Sequence, residues 1–194
     1  MAIPEEIIVS PYEVYLAVTG TAFPLIDVAP AAAWKKLGTS GNKSMSEDGV
    51  AVNHPQTIQE FRAYGSTGPI KAWRTEESLV LSFTIIDLLL EEYQRIINDN
   101  SITTVAAGSG TAGHKRFSLL RGSDVNLKAL LVRGPSPYLA DHNAQYEVDK
   151  IYEGGSPTVT YSKGAPAGLS FELHAIEDLT NGFGVLRAAH TVAT

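Results

Sequence analysis

Residues 108–113, Gly-Ser-Gly-Thr-Ala-Gly, spell G-x-G-x-x-G behind a run of strand-forming residues. With that spacing a dinucleotide fold lets backbone approach a pyrophosphate at a helix N-terminus. The neighbouring residues argue against such chemistry. Lys115 to Leu120 is too short for the helix that should follow, and it ends at Arg121-Gly122. The acidic residue expected about 20 positions on is missing, because Arg133 and Gly134 stand there. A phosphate-binding P-loop fails as well: His114 displaces Lys115, and Arg116 stands where a magnesium-binding Ser or Thr belongs. A flexible hairpin tip accounts for these glycines with fewer assumptions. The five histidines, His54, His114, His142, His174 and His190, show none of the paired spacings that hold zinc. Asp141-His142 lacks a nucleophile elbow to serve. The carboxylate pairs Glu76-Glu77 and Glu177-Asp178 sit on adjacent strand positions and point to opposite faces, while Glu91-Glu92 suits the start of a helix. Trp34 and Trp73 suit a core or a protein interface better than a sugar platform, since no paired acids and amides accompany them. No catalytic residue, metal ligand or cofactor site emerges, and the expectation is a protein that is not an enzyme.

The elements around these residues are mostly strands divided by Gly, Pro, Asn and Ser turns. Strand patterns cover Ile7 to Val18, broken at Pro11, and Ala22 to Val28; Ala31 to Leu37 fits either a helical turn or a strand. Val50 to Tyr64 follows, interrupted at His54-Pro55. From Leu79 to Ile85, Leu79, Leu81, Phe83 and Ile85 alternate with Val80, Ser82 and Thr84, the period of a strand with one buried face. One helix is expected next, capped by Asp87, with Leu89, Tyr93, Ile96 and Ile97 as its apolar stripe and Asn98-Asp99-Asn100 as its end. Further strands are expected at Ile102 to Ala107, Lys115 to Leu120, Val125 to Arg133, Tyr146 to Tyr152, Thr158 to Ser162, Leu169 to Ile176 and Phe183 to His190. Gly134-Pro135-Ser136-Pro137 should end any ladder. The fold class is mainly β: an antiparallel β-sandwich or barrel with one flanking α-helix, in a single domain.

Composition narrows the function classes. The chain has 194 residues, 44% hydrophobic and 19% charged, which suits a folded globule. Fifteen basic against twenty-one acidic residues give a net charge of −6, the wrong sign for gripping DNA, although DNA could pass without being held. There is no cysteine, so disulfides and thiolate metal sites are excluded. Glu5 and Glu6 stand where a signal peptide would be basic, and the longest apolar run, Ile85 to Leu90, is broken by Asp87; neither export by its own signal nor a membrane span is expected.

Between Gly38 and Asn98 the order of features is specific. S-E-D-G-V (Ser46 to Val50) opens a strand, followed by I-Q-E-F-R-A-Y (Ile58 to Tyr64) and P-I-K-A-W-R-T-E-E (Pro69 to Glu77). The alternating L-V-L-S-F-T-I-I-D (Leu79 to Asp87) then leads into L-L-L-E-E-Y. This ordered set, with T-A-F-P at Thr21 to Pro24 after an opening strand, resembles the major tail, or tail tube, proteins of siphophages, especially those of actinobacterial phages. The resemblance covers roughly Val14 to Asn98.

The resemblance implies a structural virion protein: a β-sandwich with a flanking helix, six copies to a ring, and rings stacked into the tube through which DNA is delivered. It implies no cofactor. The implied partners are the chain itself, a tape-measure protein and the tail terminator and tip proteins, with double-stranded DNA passing non-specifically and no membrane involved. The place would be the virion tail, assembled in the host cytoplasm. Two long loops, about 39–48 and 65–74, would reach neighbouring subunits through Lys43, Met45, Glu47, Asp48, Tyr64, Lys71, Trp73 and Arg74. An acidic lumen repels phosphates, and Glu60 and Glu77 are the strand acids proposed to line it. The strands of 134–194 match no motif of that family. Alternatives are a related tube component, a tail terminator or decoration protein, or a carbohydrate-binding sandwich stacking sugars on Trp34, Trp73 or Tyr138.

Overall fold

The structure, a computed structural model, describes Ile8 and residues 11–38, 41–139 and 141–192. In chain order it contains β1 (Glu13–Val18), β2 (Lys35–Lys36), a single 3-10 turn (Gly41–Ser44), β3 (Met45–Asn53), β4 (Gln56–Phe61), β5 (Lys71–Glu77) and β6 (Val80–Ile85). Helix α1 (Leu90–Ile96) precedes β7 (Thr103–Val105), β8 (His114–Arg116), β9 (Lys128–Pro135), β10 (Asn143–Glu153), β11 (Leu169–Ala175) and β12 (Val185–Ala188). The architecture is mainly β and antiparallel with one helix, as the strand-rich pattern predicts. One large sheet runs β2-β1-β9-β10-β11-β6-β3, with β12 added beside β10. It does not close into a barrel, so the sandwich half of the expectation stands and the barrel half does not.

Strand β10 joins the two halves of this sheet. Its pairing with β9 shifts register between Val148 and Ile151, and such an irregularity bends a strand and sharpens its twist. Before the shift β10 carries β12 against Ala144 to Glu147; after it, β11 pairs with Ile151 to Glu153. Alternating apolar residues face the core between the halves: Val14 and Leu16 of β1, Leu130 and Val132 of β9, and Leu81, Phe83 and Ile85 of β6. Phe83 sits opposite Phe171 of β11, and their rings stack with centroids 4.9 Å apart. The C-terminal strands therefore lie at the centre of the sheet rather than outside it.

Strand β9 is buried on both faces because the chain before β2 lies over its outer side. The sequence predicts a strand over Ala22 to Val28, but this segment joins no ladder. Its carbonyls accept side-chain hydrogen bonds instead. Trp34 Nε1 donates to Ala22 (3.0 Å), Gln145 Nε2 to Pro24 (2.9 Å) and Asn143 Nδ2 to Ile26 (3.0 Å). The Arg133 guanidinium donates to Leu25 (3.0 Å) and Val28 (2.6 Å). Phe23 and Trp34 then cover Ala17, Ala129 and Leu131 in a second small core. Carbonyls outside a ladder need other donors, and for these part-buried ones side chains of β9 and β10, with Trp34, supply them in place of a neighbouring strand.

Other boundaries also differ from expectation. Helix α1 starts at Leu90 with Leu89 as N-cap and no side-chain cap, so Asp87 does not have the predicted capping role. Of the predicted stripe, Ile96 and Ile97 are buried and Tyr93 meets Phe117 edge-on at 5.8 Å, but Leu89 faces outward and Leu88 packs inward instead. Asn98 and Asp99 adopt positive φ (55° and 54°) and end the helix where expected, since amide and carboxylate side chains tolerate that region. Strand β9 runs through Gly134 and Pro135, which pair with Ala144 and Asn143; a proline is tolerated there because it is the last residue of the strand. No strand forms over Thr158 to Ser162, where only the bridge Ser162–Ala165 occurs. The glycines 108–113 join the antiparallel strands β7 and β8, the geometry of a hairpin tip.

Candidate functional site

Strands β3 and β6 form the last pair of the large sheet, and both continue beyond it as the arm β4–β5. The ladder passes from Asn53–Val80 to Gln56–Glu77 across a joint at His54-Pro55 and Ser78-Leu79, where the Ser78 amide donates to the Pro55 carbonyl at 3.0 Å. Six residues of β4 give an arm of roughly 20 Å. Every residue of β4 and β5 is exposed, and none joins a hydrophobic core cluster of the chain. The segment expected to be the loop 65–74 is therefore only partly loop: Lys71 to Arg74 belong to β5, because their partners Phe61 to Ile58 complete a ladder. The loop 39–48 shortens likewise. Residues 39 and 40 lie outside the described residues, Lys43 falls in the 3-10 turn, and Met45, Glu47 and Asp48 fall in β3.

The register sorts the arm into two faces. Residues opposite one another share a face, and alternate residues along a strand share it too. Thr57–Glu76, Gln59–Trp73 and Phe61–Lys71 occupy one face; Gln56–Glu77, Ile58–Arg74 and Glu60–Ala72 occupy the other. A register shift between Thr57 and Ile58 leaves Thr75 as the extra residue that keeps this division. The first face presents the aromatic rings of Phe61 and Trp73. The second is charged: Arg74 pairs with Glu77 at 3.0 Å and also donates to Gln56 Oε1 at 2.9 Å, and Arg62 pairs with Glu60 at 3.0 Å.

Both acids proposed for a lumen, Glu60 and Glu77, thus fall on one face, each with its own arginine. Of the residues proposed for subunit contacts, Tyr64, Lys71, Trp73 and Arg74 gather on the arm. Lys43 is exposed in the 3-10 turn and Glu47 and Asp48 are exposed in β3, while Met45 packs against its own core. Ile58, Phe61, Ile70 and Trp73 are 45–59% exposed and Tyr64 is 110% exposed. Ile58 and Ile70 escaped the sequence assignment. Their signal was present only as apolar residues in segments that carry no buried face. Trp34 is buried and cannot be a sugar platform, whereas Trp73 and Tyr138 remain accessible. No profile of a known protein family matches the chain, and no curated protein matches it.

Three buried or half-buried acids outside the arm have structural partners. Glu92 of α1 is buried, and burial holds its carboxyl above the usual range despite Arg95 at 3.3 Å. Burial likewise raises the Glu153 carboxyl, opposed by the amides of Glu172 and Gly155, which donate to it. Glu147, also buried, accepts from Gln145 and pairs with Arg187 at 3.1 Å. Among the described residues no group of three or more His, Asp or Glu side chains is placed to hold a metal ion.

Proposed function

We propose that this chain is a self-assembling structural subunit, the tail tube protein of a long-tailed phage, whose copies form stacked sixfold rings around a channel for DNA. The observation that carries this is the β4–β5 arm. A two-stranded hairpin with no packing beneath it is marginally stable in water, and this one leaves five large apolar side chains uncovered. Those costs are relieved when neighbouring subunits cover the arm. The large sheet also ends at β3, whose outer edge offers unpaired backbone groups. Ring closure consumes such edges, whereas a lone subunit leaves them open to uncontrolled pairing. In this reading the partners are further copies of the chain, the tape-measure, terminator and tip proteins, and passing DNA.

The test is negative-stain microscopy of concentrated purified protein beside its sedimentation profile. Hollow tubes or stacked rings are expected. A protein that stays monomeric at every concentration, and remains so when supplied with tail-tip complexes, overturns the proposal.

A further inference from the structure

Segment 100–127, which carries the β7–β8 hairpin, is joined to the body almost without a core. None of its residues is buried, and Phe117 alone packs against a core cluster. Its two ends meet, however. Lys128, the first residue of β9, forms an ion pair with Asp99 in the turn after α1. The Lys128 side chain is 15% exposed and that of Asp99 29%. Both partners are fixed in place. The Asp99 amide donates to the Gln94 carbonyl at 2.9 Å, and Asn126 Nδ2 donates to Asp99 Oδ2 at 3.3 Å. Asn98 Nδ2 holds the carbonyls of Arg121 and Asp124, and Asn98 Oδ1 accepts from the Asn126 amide at 2.7 Å. Lys128 borders a cavity whose lining includes the apolar Ile96, Ile151, Phe171 and Leu173, with a second cation, Arg95.

We propose that Lys128 and Asp99 condense into an intramolecular isopeptide bond that staples together the two ends of segment 100–127. The step needs no co-reactant, because an ammonium and a carboxylate together have the composition of an amide and one water. The Lys128 nitrogen attacks Asp99 Cγ, the C–N bond forms and one Cγ–O bond breaks. The departing oxygen leaves as water with two of the three ammonium protons. Asn126 Nδ2 already donates to Oδ2, where negative charge develops during the attack. Well-oriented groups within one molecule react as if at about 10⁵–10⁸ M. Burial favours the product, since an ion pair is costly to keep from water and the amide carries no charge. An amine in an apolar site beside another cation is also the activated form of lysine. Burial holds the Lys128 ammonium below its usual range despite Asp99, and Arg95 acts in the same direction. Glu92, within electrostatic reach of Lys128, is the proton carrier: it is buried, and its Oε2 has no hydrogen-bond partner among the described residues. In a chain without cysteine the bond does the work of a disulfide, restricting the unfolded state by closing a long loop.

Intact-mass spectrometry of the purified full chain tests this, whether or not tubes form. The mass should fall one water below that of the sequence, after allowing for removal of Met1. Trypsin should release 96–115 joined to 122–133, uncut at Lys128. Lys128→Arg and Asp99→Ala should each restore the full mass. Glu92→Gln should slow the loss of water, followed from synthesis onward, by about 10²-fold or more; an unchanged rate overturns the role given to Glu92. A wild-type mass equal to that of the sequence, with cleavage at Lys128, leaves an ion pair only and overturns the staple. So does a missing water that survives Lys128→Arg, which belongs instead to a succinimide such as Asp48-Gly49 can form.

Discussion

Replacing Arg133 by methionine tests whether side chains, rather than a strand ladder, hold the 20–33 segment in place. The guanidinium makes two hydrogen bonds to Gln145 Oε1, at 2.9 and 2.5 Å, and one each to the carbonyls of Leu25 and Val28. Arg133 is 7% exposed and Gln145 is fully buried. Arg133→Met leaves three acceptors without donors. Hydrogen bonds to a charged group contribute about 1.5–3 kcal/mol each, and removing one member of a buried polar network costs about 3–5 kcal/mol. The segment could lift to let water reach its carbonyls, but lifting uncovers Phe23 and Trp34, so neither route is cheap. Glu147 keeps Arg187, but it, Asp27 and Glu13 lose their attraction to the Arg133 charge, which adds to the cost. The expected loss is therefore about 3–5 kcal/mol, a large part of the roughly 5–15 kcal/mol of a typical domain. At a slope of about 2 kcal/mol per molar urea the midpoint falls by roughly 1.5–2.5 M. In a Trp73→Phe background the fluorescence reports Trp34 alone, beneath the segment. Arg133→Lys retains the charge but not the fork, and should fall between the two. A loss below about 1 kcal/mol, with Val28 and Trp34 amides as protected from hydrogen exchange as before, would falsify the clamp.

Phe61→Ala and Trp73→Ala should leave the stability of the dissociated subunit within about 0.5 kcal/mol, since neither ring belongs to a core cluster of its own chain, yet abolish tubes in the microscope. A parallel loss of melting temperature would show that the arm packs inward. Glu153 has a folded pKa raised above 4.5 by burial, so its stabilising contribution is full below that value and is lost as pH rises through the folded pKa. Glu153→Gln should flatten that part of the stability–pH curve and be at least as stable at neutral pH; an unchanged slope refutes the assignment. At Gly134 an added Cβ would lie 2.4 Å from the Tyr12 ring, so Gly134→Ala should cost about 1–3 kcal/mol in urea unfolding. A smaller second ring contact relieves it: Tyr12→Ala combined with Gly134→Ala should cost less than the sum of the two single changes. Neutralising Glu60 and Glu77 together unbalances Arg62 and Arg74, and tubes should assemble but eject DNA more slowly; normal ejection removes that face from the lumen.

Strands with one buried face were legible in the sequence because their alternation reports burial directly, and Leu79 to Ile85 maps almost unchanged onto β6. The 22–28 segment was not. Phe23, Leu25 and Val28 give it a strand's composition, but what decides its state is Arg133, Asn143 and Gln145, more than 100 positions away. No local pattern carries that information. The end of β9 failed for a different reason. Gly134 and Pro135 punctuate most ladders, but Gly134 is needed because the Tyr12 ring occupies the space of a Cβ, and Pro135 falls on the final pair. Sheet order, with β12 and β11 sharing one edge of β10, depends on the register shift after Val148 and leaves no mark in composition.

The arm shows the same limit at the level of function. Its aromatic and charged residues stood out in the sequence, yet Lys71 to Arg74 looked like loop because a strand exposed on both faces has no apolar alternation. Only the register separates Phe61 and Trp73 from Glu60 and Glu77, since one slip would exchange the faces. The extra residue Thr75 sets that choice: without it Arg74 and Glu77 would not share a face with Gln56, and their pairing would be lost. A surface that is aromatic on one side and charge-balanced on the other can bury the first against protein while leaving the second in water. That division of labour, rather than any single residue, is what fits the arm to a subunit whose neighbours complete it.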